Sequence, residues 1–245
     1  MAYEGIKTQM FRQTITQTST EQKEALGTLR ILDDGRKFRY CKNGADALRA
    51  GVVVMPLALV ANHTAEDLAA AVKVGDKKIT ITLGDTAVDA NVYAGGYVQF
   101  HNTAVDGGGD GHQYKIATHP AAIAQASLTL QLDEPIVHNT VAAGTTLSLV
   151  HNRFKDVAVT DGVEAAVSGV TVCQVAANAY FWAQVSGDGL ALGNATTAAA
   201  GEMISCAASG AVQKANASTG DSTIMGFARG ATVNGNHTPI VLTLE

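Results

Sequence analysis

Five of the chain's seven histidines, His101, His112, His119, His138 and His151, fall within one stretch of about fifty residues. The first two flank Asp106 and Asp110 in a glycine-rich run, DGGGDG at 106–111. Imidazoles and carboxylates grouped in this way are the ligand types of zinc and calcium centres. Their spacing fits neither. No HExxH occurs, no two of the five histidines stand four apart, and the run matches neither an EF-hand nor a calcium-binding repeat. A glycine-rich hairpin loop, with histidines solvated or satisfied in a core, is the plainer reading; a metal or glycan contact at 107–111 is left open. Hydrolase chemistry lacks its GxSxG nucleophile turn, and no phosphate-loop signature is present. Asp133 and Glu134 are adjacent at a strand end, so they face opposite sides and cannot flank one bond. Trp182, the only tryptophan, stands in Tyr180-Phe181-Trp182, which reads as core anchoring or as a sugar-stacking platform. Cys41, Cys173 and Cys206 are odd in number with no CxxC pair, so buried thiols are expected rather than a disulfide or zinc framework. No catalytic, cofactor-binding or metal residue is assigned, no cofactor is expected, and the chain is read as not an enzyme.

The elements that must carry these residues are mostly strands. Hydrophobic residues are 47% of the 245, enough for a packed core, and aromatics only 5%, so that core is aliphatic. Alternation of period two marks 79–83, 113–117 and 128–132, with turn residues between them. Asp33-Asp34-Gly35-Arg36 predicts a hairpin between 29–32 and 37–41. Segments 52–55 and 57–60 read as buried and extended around Pro56. Residues 64–72 read as the best helix, with Thr64 as its cap and Leu68 and Val72 on one face. A second short helical stretch is possible at 45–50. Ser186-Gly187-Asp188 reads as a tight turn between two strands.

The expected fold is all-β: antiparallel sandwich or barrel domains, an extended N-terminal arm and one or two short helices. The expected division is an arm at 1–28, a β-rich domain at 29–157 and a smaller β domain at 158–245. The last is dominated by Ala, Gly, Ser and Thr, with two Lys/Arg after residue 160, and such a smooth surface suits burial against another subunit. Residues 1–60 carry nine Lys/Arg against six Asp/Glu, while the whole chain has net charge −5. That balance argues against nucleic acid as a direct partner. The N-terminus has no apolar signal core, and the longest apolar run, 51–61, is too short to cross a membrane and holds Pro56.

Taken in order, several segments resemble the virion structural proteins of tailed bacteriophages, of the head decoration (cement) type. They are YAGGYV at 93–98, QYKIATHPAA at 113–122, LTLQLDEPIV at 128–137, SLVHN at 148–152, YFWAQVSG at 180–187 and IVLTL at 240–244. The resemblance spans roughly 50–245 and leaves the arm unmatched. It implies a protein made in a host bacterial cytoplasm and placed on the capsid surface. There it would bind the major capsid protein, bridge neighbouring subunits and associate with itself as a homotrimer. Another virion part (tail, neck or head fibre) and a glycan-adhesion module are the alternatives. Deleting 1–28 is expected to leave a folded body with weakened partner binding.

Overall fold

The computed structural model describes residues 11–102, 109–139, 144–162, 166–216 and 223–245. It is built of antiparallel strands, with two single-turn 3-10 helices at Ala61–His63 and Ala208–Gly210. The chain divides into two compact units: Leu57–Arg153 forms one, and the segments ending at Pro56 and starting at Phe154 together form the other.

The discontinuous unit begins with the hairpin β1 (Leu29–Ile31) and β2 (Lys37–Lys42), followed by β3 (Val53–Met55). Leu29 pairs with Arg39 and Ile31 with Lys37. Gly35 closes the turn at φ 84°, a backbone geometry that costs glycine little. The inserted unit then supplies β4 (Glu66–Asp67), β5 (Lys78–Thr82), β6 (Tyr97–Asn102), β7 (Gln113–Thr118), β8 (Ser127–Leu132) and β9 (Thr146–Val150). Their order across the sheet is β4-β9-β6-β7-β8-β5. Just past β4, the Leu68 N–H bonds Thr145 O and the Ala69 N–H bonds Thr80 O, while Leu68 bridges Ile81. These residues join the two edge strands into a nearly closed barrel. Alternation fills it: Ile79, Ile81, Tyr114, Ile116, Leu128 and Leu130 point inward, and the residues between them face outward.

The chain returns as β10 (Ala158–Val159), β11 (Gly169–Thr171), β12 (Tyr180–Leu192), β13 (Met203–Cys206), β14 (Val212–Lys214), β15 (Ile224–Ala228) and β16 (His237–Thr243). With β1, β2 and β3 these build a ten-stranded half-barrel in the order β10-β3-β11-β12-β16-β15-β13-β14, with β2 also on β12. The thirteen-residue β12 is its spine. Tyr180 to Ser186 run beside β2, and Ser186 to Leu192 beside β16.

Several expectations change. The domain boundary expected at 157/158 lies instead at 56/57 and 153/154, because β2 and β3 pair with β12, β11 and β10 rather than with the strands that follow them in sequence. Residues 64–72 are not helical. Thr64 Oγ1 bonds Val60 O instead of capping, Ala65 sits at φ 58°, and Glu66–Asp67 pairs with β9. A two-turn helix is marginal alone, and closing the barrel offers its backbone better partners. Residues 45–50 form no helix either; Leu48 bridges Val175. Leu57 and Leu59 are exposed rather than buried. The expected turn at 186–188 lies within one continuous strand, β12, just past a bulge. The register shifts between Gln184 and Ser186, and Gln184 Nε2 donates to the carbonyls of Ser186, Gly187 and Asp188.

Candidate functional site

The densest cluster of chemistry-bearing side chains lies inside the barrel unit. Tyr93 is fully buried in the tight turns before β6, and His63, His119 and His151 are buried around it. The hydrogen bonds assign tautomers. The carbonyl of Thr86 lies 2.9 Å from His63 Nε2, so that nitrogen carries the proton and Nδ1 accepts from the Tyr93 hydroxyl at 2.6 Å. By the same logic His119 Nδ1–H donates to Pro120 O at 2.8 Å, and its Nε2 accepts the Tyr93 backbone N–H at 3.0 Å. His151 stacks on the phenol with ring centroids 4.3 Å apart. Burial pushes the Tyr93 hydroxyl up to about 12. At neutral pH the phenol is therefore a proton donor held in place. Every polar atom named here serves a neighbour inside the unit, which is the arrangement of a structural lock.

A second polar knot sits in the half-barrel unit. Phe38, Tyr40 and Trp182 are completely buried, covered by residues 11–28. Phe11 meets Trp182 edge-on at 5.2 Å. The Trp182 indole N–H donates to Gln13 O at 3.1 Å, and the Tyr40 hydroxyl donates to Gln13 Oε1 at 2.9 Å. Gln13 Nε2 donates to the carbonyls of Gln17 and Tyr180, leaving this glutamine 4% exposed. Ser19 and Tyr180 exchange both backbone hydrogen bonds. The described part of the expected arm is thus a cover folded onto the body, and Trp182 is a core anchor with no free face for a sugar.

The remaining candidates stay apart. His101 is exposed, while His112 and His138 are part-buried and meet edge-on at 4.6 Å. Asp106, Gly107 and Gly108 lie outside the described residues, so the 107–111 reading is described only from Gly109 to Gly111. Among the described residues no group of three or more His, Cys, Asp and Glu side chains could hold a metal. Asp133 and Glu134 are exposed and engage Lys115, one by an ion pair at 3.5 Å and the other by accepting its backbone N–H. Cys41 and Cys206 are buried; Cys173 is half-buried, and burial raises its thiol above the ordinary range. Among the described residues no helix is long and apolar enough to cross a membrane.

One surface feature escaped the sequence reading. On the outer side of the half-barrel, Met203 pairs with Phe227, Phe227 with Val241, and Val241 with Asp188; on the next rung Leu190 pairs with Pro239. Met203, Phe227 and Leu190 are 44%, 44% and 57% exposed. Among the described residues the ion pair there is Arg229–Asp188, at 2.5 Å. The signal was present in Ile224–Ala228, IMGFA, which is apolar at nearly every position and so cannot hide all its side chains on one face. Gln13, His63 and Tyr93 gave no signal, since each owes its role to partners far along the chain. Comparison with protein families, with curated proteins and with solved structures gave no match.

Proposed function

We propose that this chain is a structural, non-enzymatic virion component of the head decoration type: it binds the outer surface of a tailed-phage capsid and bridges neighbouring major capsid subunits. One observation carries the reading, the apolar rungs Met203–Phe227–Val241 and Leu190–Pro239, in which Met203, Phe227 and Leu190 are exposed and, among the described residues, Arg229–Asp188 is the ion pair. Two rungs of apolar side chains in a charge-poor surface supply the kind of core around which a specific interface forms. Two further features support it. His63, His119, Tyr40, Tyr93 and Trp182 hold structure through internal hydrogen bonds, and the order of segments along the chain resembles that virion class. Adhesion of this kind acts through area multiplied over many copies.

The test is binding of the purified full chain to mature capsids, read as copies per particle and as location by labelled electron microscopy. Saturation at many copies on the head supports the proposal, and a mass measurement checks the trimer that the resemblance implies. A few copies at the tail or neck would reject it in favour of another virion part. Phe227→Asp is expected to weaken capsid binding at least about tenfold with the fold intact, as for a central interface anchor. Unchanged binding would remove the apolar rungs from the argument.

A further inference from the structure

Beside the β12 bulge the half-barrel unit holds a cavity of about 450 Å³, within the size range of small-molecule sites. We propose that it binds a small primary ammonium carrying an aliphatic chain, that is, a free aliphatic amino acid or the N-terminal residue of a peptide. Ile15, Ala50, Val172 and Leu190 give the cavity an aliphatic lining. The polar side chains beside them offer acceptors. Gln184 is 2% exposed and lines the cavity. Its Nε2 is engaged by three backbone carbonyls, and among the described residues nothing donates to Oε1. His237 has its Nε2 2.9 Å from Ala50 O, which fixes the proton on that nitrogen and leaves Nδ1 as an acceptor. The Asp188 carboxylate gives Oδ1 to Arg229 and keeps its second oxygen for a ligand.

An ammonium carries three N–H donors and no acceptor, so three acceptors around an aliphatic wall match it. A neutral alkyl group would offer these acceptors no donor. Arg36 also lines the cavity. Asp34 holds its Nε at 2.7 Å, and the terminal guanidinium nitrogens remain to meet a carboxylate. That second charge separates the two sources of ligand. A free amino acid uses both ends of the site, whereas a peptide N-terminus uses the ammonium end alone.

Titration calorimetry on the full chain with leucine, leucinamide, N-acetyl-leucine and glycine tests this. Leucine and leucinamide are expected to bind saturably, with N-acetyl-leucine and glycine each about tenfold or more weaker. Leucine tighter than leucinamide identifies the free amino acid; parity of the two identifies a chain terminus. Asp188→Asn, at an exposed position, is expected to weaken leucinamide severalfold, and Ala50→Phe to abolish binding by filling the cavity. If Ala50→Phe misfolds by circular dichroism, Asp188→Asn alone decides. The proposal falls if none of the four ligands binds below about 10 mM, if N-acetyl-leucine binds as tightly as leucinamide, or if the folded variants bind like the parent.

Discussion

The two units bury their polar knots in opposite ways. In the barrel, Tyr93 is held by His63 and His119, from loops of the same uninterrupted segment. In the half-barrel, Trp182 and Tyr40 are tied to Gln13, 169 and 27 residues away. The first knot forms when one stretch of chain folds on itself. The second forms only when the N-terminal cover, the β1–β2 hairpin and the spine strand β12 have come together. The barrel unit therefore carries its stabilising contacts within one continuous segment, while the half-barrel depends on contacts of high sequence separation, which are costly in loop closure.

The sharpest way to break this comparison is to remove residues 1–28. Their described part shields Phe38, Tyr40 and Trp182, so truncation is expected to cost the half-barrel on the order of 5 kcal/mol at roughly 1.5–3 kcal/mol per large apolar side chain. A melt of the truncated chain should lose one transition and keep the other, with Trp182 emission moved to the red. This reverses the expectation of a folded body drawn from the sequence. Emission unchanged from the full chain would show that the cover is dispensable.

Alkaline titration probes the other knot. The folded Tyr93 phenol titrates at about 12 against 10.0 for an ordinary tyrosine. Above pH 10 the unfolded chain loses this proton before the folded one does. The contribution is therefore whole below pH 10 and is lost as pH rises toward 12, amounting to roughly 2–3 kcal/mol. Burial also raises the Tyr40 phenol in the half-barrel. Tyr93→Phe should remove this share of the barrel's alkaline loss and leave that of the half-barrel unchanged, at a cost near neutral pH of about 1–2 kcal/mol for the hydroxyl's bond to His63. Stability curves followed by probes in each unit would check it. The smallest effect is expected at the Lys42–Asp156 pair, 2.5 Å apart with both side chains about a quarter exposed. Asp156→Asn should cost the half-barrel about 0.5–1 kcal/mol in low salt and less in high salt, measured by denaturant midpoint.

How much was legible follows the same division. Strands β5, β7 and β8 were read from alternation because each has one face in the barrel interior and one in water. The β1–β2 hairpin was read from its Asp-Gly turn. Strand β12 was split in error, since Ser-Gly-Asp is turn chemistry locally and only the Gln184 amide reveals a bulge. The helix at 64–72 failed because Leu68 and Val72 reach the core from an irregular segment as well as they would from a helix. Of the buried polar residues, His119 and His151 were noticed for their number. Tyr93 and Gln13 could not be, because their partners are set by tertiary folding.

The pairing of Met55 with Ala158 brings the exit and re-entry points of the inserted segment onto one rung of an antiparallel ladder. The host half therefore sees its guest as a loop with adjoining ends, whatever its length. Such a junction tolerates exchange: another module with neighbouring termini could be grafted there, and a short Gly-Ser turn could replace the guest altogether. The architecture is in this sense a socket, in which the passenger can diversify while the frame keeps its own hydrogen-bonded seam.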